Sequence, residues 1–545
     1  MPTLTIDGQE ITVEDGATVL EAARRLGIEI PTMCHVEGRC DRHVSCMICV
    51  VQQHGAAGIR PGYVPSCQFP ALDGMVVDAS GEAVRRMRTD ILEVILSDHI
   101  GDCEGPCENT CPAHMAIPVM MRQVDERDAP AAMATVRADI ALPAVLGRIC
   151  PEVCEKACRR GDVDSAVAIC RVKRYVGDGL DGDPAACPLP APAPSSGHRV
   201  AVVGAGPAGL AAAFHLALDG HDCTLFDAAE RPGGALRSIA ADILPPAVLD
   251  REIDTILSLG QHWQGGQVLG QNLALADLRR DFAAVFLALG RLDEAALTAL
   301  GLPAGKGGKM AAQVQTLATA EAGLFAGGDL VRQRRLAIRS VADGKIAARS
   351  ISQFLRGETP SGEARRFNSR TGRLAVDEIA ALVPGVISAD PRQEPVSGTG
   401  CYTPEEAQCE AARCLHCDCV ARDTCRLRAL ADAYGAKQGR YKGQRRPIHP
   451  VLIGERVVYE SGKCMHCGAC VYVCQQAGEK VGLSFANRGF ELEVTVPLRR
   501  SLDAGLAGLA ESVVAVCPTG ALSHRHDYGG VFVADHQAAG THTEG

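Results

Sequence analysis

The apolar run Val200-Ala-Val-Val203, with His198-Arg before it and a glycine after it, reads as a strand buried on both faces, as in parallel sheets. The glycine-rich turn Gly204-Ala-Gly-Pro-Ala-Gly209 follows, then Leu210-Ala-Ala-Ala-Phe-His-Leu-Ala as a helix and Cys223-Thr-Leu-Phe as a second strand. Near the N-terminus, residues 3–20 hold two short strands joined at Asp7-Gly8, and Val19 to Gly27 reads as a helix stopped by glycine. That order suits a small β-grasp fold. The pattern weakens at the Pro/Ala-rich stretch Cys187–Ser196, a linker, and over residues 358–400, a connector with one short helical pattern near Val376–Leu382. Thr403-Pro then opens another helix. No run of 18 apolar residues exists that could span a bilayer.

Length changes the picture first: at roughly 100–200 residues per domain, 545 residues allow three to five domains. A net charge of −10 gives no basic footprint for nucleic acid. The N-terminus lacks the basic and apolar regions of a secretory signal, so a reducing cytoplasm is expected, where cysteines favour metals over disulfides.

Nineteen of the 25 cysteines fall into groups with metal-ligand spacing. Cys34, Cys46, Cys49 and Cys67 follow C-x11-C-x2-C-x17-C, which departs from the plant-type ferredoxin pattern; zinc or plain buried thiols are the alternatives. His99, Cys103, Cys107 and Cys111 precede Cys150, Cys154 and Cys158, and Cys170 comes later; seven cysteines in these packets suggest two clusters. Cys414, Cys417, Cys419 and Cys425 suit one metal centre, for which a four-cysteine zinc site is the rival. Cys464, Cys467, Cys470 and Cys474 match the bacterial C-x2-C-x2-C-x3-C run, whose last cysteine serves another cluster. A second such run is absent, so one cluster is expected on Cys464, Cys467, Cys470 and Cys517, with Cys474 left over. Cys40, Cys401 and Cys409 lie outside the groups.

The glycines at 204, 206 and 209 let a backbone approach a pyrophosphate, whose charge the following helix N-terminus stabilises. Asp227, 23 residues after Gly204, stands where an acid binds ribose. No G-x-S-x-G, H-E-x-x-H or P-loop is present, so hydrolytic and phosphoryl chemistry lack a motif.

These segments resemble known families. The first cysteine group resembles the 2Fe-2S domain of the complex I large iron-sulfur subunit and related hydrogenase and formate dehydrogenase subunits. The second resembles the helical domain of the glutamate synthase small subunit and dihydropyrimidine dehydrogenase. By that resemblance Cys111, Cys150 and Cys154 share one 4Fe-4S cluster, and Cys103, Cys107 and Cys158 share the other. Each set lacks a fourth ligand, and Lys173 stands where the family often has Glu or Gln. Cys170, one helical turn before Lys173, is expected to complete the first set. His99, whose His-x3-Cys start resembles a histidine-ligated cluster of complex I, is the candidate for the second. The group from Cys414 to Cys425 resembles a 4Fe-4S segment of iron-sulfur/flavin subunits attached to formate dehydrogenases and hydrogenases.

The nucleotide segment, with Gly233 and Gly234 of Arg231-Pro-Gly-Gly and with Gly328-Asp329, resembles the two ends of the FAD domain in the glutamate synthase small-subunit family. FAD is the implied cofactor, with Asp329 toward its ribityl or phosphate side. That family inserts an NAD(P)H domain between the halves. Here 34 residues separate Gly290 from Phe325 without a second fingerprint, and one βαβ unit alone takes about 30.

The expected fold is multidomain α/β and α+β. It comprises a β-grasp 2Fe-2S domain (1–98), a helical domain with two 4Fe-4S clusters (99–185) and a Rossmann-like FAD domain (198–357). A small 4Fe-4S segment (401–436) and a ferredoxin-like C-terminal domain (437–545) follow. The resemblance implies an electron-transferring subunit of a larger cytoplasmic oxidoreductase, with substrate catalysis on a partner chain. Partners would be a molybdenum, tungsten or hydrogenase-type catalytic subunit, an NAD(P)-linked flavoprotein or a ferredoxin. A self-contained or electron-bifurcating flavoenzyme and a metal-bearing assembly scaffold are the alternatives.

Overall fold

The computed structural model describes the chain except residues 39–43, 56–58, 180–188, 306, 334, 384–390, 397–399, 442, 444–445, 507 and 533–545. Cys40 and Cys187 lie outside the described residues. Two compact units emerge: residues 1–105, 366–389 and 415–545 form one, and residues 106–365 and 390–414 form the other.

In the first unit, strands Thr3–Ile6 and Gln9–Thr12 pair antiparallel across Asp7 and Gly8, both at positive φ (48° and 79°), the conformation of a tight twisted hairpin turn. Strand Thr3–Ile6 also pairs parallel with Val76–Asp78, which joins Val50–Gln53 and Gly62–Pro65 in a five-stranded sheet. Helix Val19–Arg25 packs its buried Val19, Leu20, Ala22 and Ala23 toward that sheet's core of Leu4, Ile6, Val51 and Val77. Each such fully buried Val or Leu contributes about 1.5–3 kcal/mol. A reciprocal Thr18–Glu21 capping box starts the helix, satisfying end groups the backbone would otherwise leave bare. Further along, Val457–Tyr459 forms the centre of a three-stranded sheet with Leu452–Ile453 and Leu522–His524, covered by helices Ala469–Gln476 and Ala510–Val516.

In the second unit, helices Ile117–Asp125, Ala129–Arg137, Pro143–Ile149 and Ile169–Asp178 share a core with a parallel sheet. The helix pair Pro143–Ile149 and Ile169–Asp178 touches backbone to backbone. A Cβ added at Gly147 would lie 2.6 Å from Arg174 Cα, and one at Gly177 would lie 2.6 Å from Ala144 N. The sheet runs Leu324–Ala326, Ala284–Leu287, Arg199–Val203, Asp222–Phe226, His262–Gln264, all parallel. Helix Pro207–Leu218 starts three residues earlier than the apolar pattern suggests, because Pro207 already suits the first helical turn. Between the neighbouring strands Ala284–Leu287 and Leu324–Ala326, the described residues contain the six-residue helix Glu294–Ala299. No helix of the described chain is long and apolar enough to cross a membrane.

Candidate functional site

The described cysteines are free thiols, most of them buried. Among the described residues no group of three or more His, Cys, Asp or Glu side chains is set to hold a single metal ion.

In the first unit Cys34, Cys46, Cys49 and Cys67 converge where the β-grasp loops meet the strand Val50–Gln53. Cys49 Sγ lies 3.2 Å from Cys67 Sγ. The hydrogen bond shared with Cys46 pulls the Cys34 thiol down to about 5, and the one shared with Cys67 pulls Cys49 down to about 7. Their partners Cys46 and Cys67 are pushed up correspondingly, with burial adding to the rise. Four buried sulfurs, half of them already inclined to thiolate, are the donor set an iron–sulfur centre requires.

Cys464, Cys467, Cys470 and Cys517 line one small cavity with Tyr459 and Leu522. The bend before helix Ala469–Gln476 brings the first three together, and the C-cap of helix Ala510–Val516 supplies Cys517. Burial pushes Cys467 up to about 12, a penalty that metal binding removes by replacing the proton. Tyr459, 2% exposed, has no nitrogen or oxygen partner for its hydroxyl among the described residues; its side chain faces the Cys464 thiol. Cys474 is buried in the same core but does not line the cavity.

The structure sets Cys103 beside Cys419 and Cys425, a grouping absent from the sequence reading. Cys419 N–H donates to Cys103 O at 3.3 Å, and Ser369 N–H points to Cys103 Sγ at 3.4 Å. Burial, reinforced by Cys419 and Cys103, pushes Cys425 up to about 12. Burial, then the charges of Lys463 and Arg446, push His99 down to about 4, so its imidazole is neutral. His99 sits beside the Lys463 stem. Cys417 belongs to this unit as well.

In the second unit the close helix pair carries Cys150 at one helix end and Cys170 in the first turn of the other. Cys170 shares hydrogen bonds with Cys150, which pulls it down, and with Cys154, which together with burial raises it to about 12 overall. Cys111, Cys150, Cys154 and Cys170 all act on the buried Lys173. Cys107 belongs to the same core, and Cys158 and Cys414 pack against it.

Also in this unit, a cleft of about 900 Å³ opens at the carboxyl ends of the parallel strands, where nucleotides bind in such sheets. Gly204, Gly206, Asp227, Gly234, Gly328 and Asp329 line it. A Cβ at Gly206 would meet no protein atom within 4 Å, so the backbone there faces open space in the cleft. Gly209 and Gly233 support the turn: a Cβ at Gly209 would strike Gly204 O, and Gly233 N–H donates to Ala205 O at 2.8 Å. Asp227 accepts from Ala205 N–H at 2.7 Å and Ala229 N–H at 2.8 Å, which fixes its carboxylate at the rim. Sequence reasoning missed Asp343 and Arg332. Asp343 accepts from Gly328 N–H at 3.1 Å and from Arg332 Nε at 2.8 Å, holding the Gly328-Asp329 corner. Burial raises Asp343 to about 6 against the pull of Arg332. Also unforeseen, Ile149 and Pro151, the two residues flanking Cys150, line the cleft.

Buried thiol groups in both units and a glycine-lined cleft on a doubly wound sheet define an iron–sulfur protein with a Rossmann-like domain. Comparison with known families agrees segment by segment. Residues 1–81 match a 2Fe-2S iron-sulfur cluster binding domain, and residues 99–182 match dihydropyrimidine dehydrogenase domain II, 4Fe-4S cluster. Residues 202–265 match an NAD(P)-binding Rossmann-like domain, and residues 454–523 match the ferredoxin-like domain of NADH-quinone oxidoreductase subunit 3.

Among curated proteins, the chain is similar to the NADPH-Fe(3+) oxidoreductase subunit beta of Geobacter sulfurreducens, 37% identical over 38% of this chain and 33% of that one. It is also similar to the NADP(+)-dependent formate dehydrogenase subunit beta of Moorella thermoacetica, 36% identical over 37% and 32%. The glutamate synthase [NADPH] small chain of Mycobacterium tuberculosis is 37% identical over 35% of this chain and 39% of its own. The chain thus spans about a third of the length of the curated relatives it matches first.

Proposed function

We propose that this chain is the iron–sulfur electron-transfer subunit of a multisubunit oxidoreductase, carrying electrons between a catalytic partner and an NAD(P)- or ferredoxin-linked partner. The observation that carries the reading is the cleft wall: Ile149 and Pro151 put the thiol of Cys150 one residue from a nucleotide site on either side. A flavin there exchanges one or two electrons, whereas iron–sulfur centres pass one at a time, so this neighbourhood converts one currency of electron flow into the other. Gly206 and Asp227 would receive the pyrophosphate and ribose of FAD, and the helix Pro207–Leu218 would face its phosphates with a positive end. Cys34, Cys46, Cys49 and Cys67 would hold the 2Fe-2S centre. Cys464, Cys467, Cys470 and Cys517 would hold one 4Fe-4S centre, and Cys111, Cys150, Cys154 and Cys170 another. The remaining thiols, Cys103, Cys419 and Cys425 with Cys417 in one unit and Cys107, Cys158 and Cys414 in the other, would supply two more.

The partners this reading calls for are a catalytic subunit of the formate dehydrogenase or hydrogenase kind and an NAD(P)-linked flavoprotein or a ferredoxin. The similarity to beta subunits of an NADP(+)-dependent formate dehydrogenase and an NADPH-Fe(3+) oxidoreductase supports it. A cytoplasmic location fits the abundance of free thiols, which a reducing compartment preserves.

Anaerobic purification of the chain with its native partners tests the reading. About 18 iron atoms per chain are expected from one 2Fe-2S and four 4Fe-4S centres. Reduction should occur through a partner subunit. Rapid reduction of the isolated chain by NADH or NADPH would overturn the relay in favour of a self-contained flavoenzyme, and redox-silent zinc would overturn both.

A further inference from the structure

Lys173 lies on the helix Ile169–Asp178, one turn after Cys170, and is 3% exposed. An ammonium group this deep is costly unless opposite charge faces it. Among the described residues Lys173 has no carboxylate partner: its Nζ donates to Cys170 Sγ at 3.8 Å. An acid of the same region, Glu155, is committed elsewhere, accepting from Cys170 N–H at 2.9 Å and pairing with Arg392 at 3.0 Å. The groups whose charge bears on Lys173 are Cys170, Cys150, Cys154 and Cys111. Four neutral thiols would leave the cation uncompensated. Four metal-bound thiolates would not.

We propose that Lys173 is a fixed countercharge for the iron–sulfur centre held by Cys111, Cys150, Cys154 and Cys170, and that it raises the reduction potential of that centre. The inference rests on the ligand reading given above. Gaining one electron would add one negative charge to the centre, with no bond made or broken and no proton taken up. A fixed cation in a low-dielectric interior favours the more negative state, so it draws the electron toward this centre. The electron would come from the reduced flavin that the adjoining cleft would hold, or from dithionite in the test. Because Cys150 is flanked by cleft residues, the effect falls on the centre beside that cleft.

The test is an EPR-monitored redox titration of the full chain, purified anaerobically, with iron counted alongside. The relevant signal is the one lost in Cys150→Ser. In Lys173→Met, its ratio of reduced to oxidised centre at a given potential falls at least tenfold, a shift of 59 mV or more to the negative for a one-electron couple. Lys173→Arg keeps the charge and titrates near the wild type. A Lys173→Met signal at the wild-type potential overturns the proposal, and so does an equal shift in both variants, which would mark shape rather than charge. Loss of the signal in Lys173→Met with retention in Lys173→Arg supports it, since the charge is then needed to hold the centre; loss in both overturns it. A wild-type chain whose iron count lacks this centre refutes the ligand reading itself, which separates the two failures.

Discussion

Replacing Gly344 by alanine sets two opposed effects against each other, and the structure decides which wins. Gly344 lies inside the helix Ala337–Leu355, which crosses the helix Pro207–Leu218 at close range. An added Cβ would press on Ala208 O and lie 2.7 Å from Ala211 Cβ and 2.8 Å from Ala212 N. Alanine is favoured over glycine in a helix interior by about 0.8–1 kcal/mol. Against that gain, the struck atoms are backbone and Cβ atoms with no rotamer to yield, and overpacking of this kind costs typically about 1–3 kcal/mol. A net loss of up to about 2 kcal/mol follows. The displaced residue Ala208 also lines the nucleotide cleft, so the same movement loosens cofactor binding. Gly344→Ala should therefore purify with less flavin and release it several degrees below the wild type on heating, followed by flavin fluorescence. A variant with full flavin and an unchanged or higher release temperature would refute the close-approach argument.

Cys170→Ser should abolish one EPR-detectable centre while circular dichroism stays at the wild-type level; an unchanged EPR spectrum refutes its assignment as a ligand. Tyr459→Phe removes a buried hydroxyl facing Cys464 and nothing else, so the potential of the C-terminal centre should fall by about 1 kcal/mol, on the order of 40 mV for one electron. Redox titration checks it, and an unmoved potential argues that the hydroxyl plays no part. Glu252, buried, accepts from Ala144 N–H at 2.8 Å and Val145 N–H at 2.9 Å, and burial raises its carboxyl from 4.5 to about 7. Since the folded state holds a proton that the unfolded state releases, this group's stability is full below pH about 4.5 and is lost as pH rises through about 7, on the order of 3 kcal/mol in all. Thermal unfolding of Glu252→Gln should therefore fall less between those pH values than that of the wild type; parallel curves would count against the assignment.

Much of the fold was legible because its signals are local. The Asp7-Gly8 turn, the helix beginning at Val19 and the strand–turn–helix at Val200–Leu218 each depend on neighbours in sequence. Cys464, Cys467 and Cys470 are close in sequence as well as in space, whereas Cys517 joins the cavity they line from more than 40 residues away. The grouping of Cys103 with Cys419 and Cys425 was not legible, since spacing cannot reveal contacts across more than 300 residues. Residues 366–371 read as connector because they lack periodicity. In the structure they act through single backbone donors, Phe367 N–H to Asp432 and Ser369 N–H to Cys103, which leave no pattern in sequence. The Asp343–Arg332 support was hidden likewise: both residues look like ordinary surface charges on their helices.

Ile149 and Pro151 line the cleft on either side of Cys150, so in the proposed assignment one short stretch of backbone serves both a metal centre and a nucleotide. Linkage between binding sites is reciprocal, so whichever group arrives first fixes the backbone the other needs. Uptake of these two groups is then cooperative rather than independent. A chain starved of flavin should take up iron at Cys150 poorly, and one starved of iron should hold its nucleotide loosely, although neither group touches the other's principal ligands.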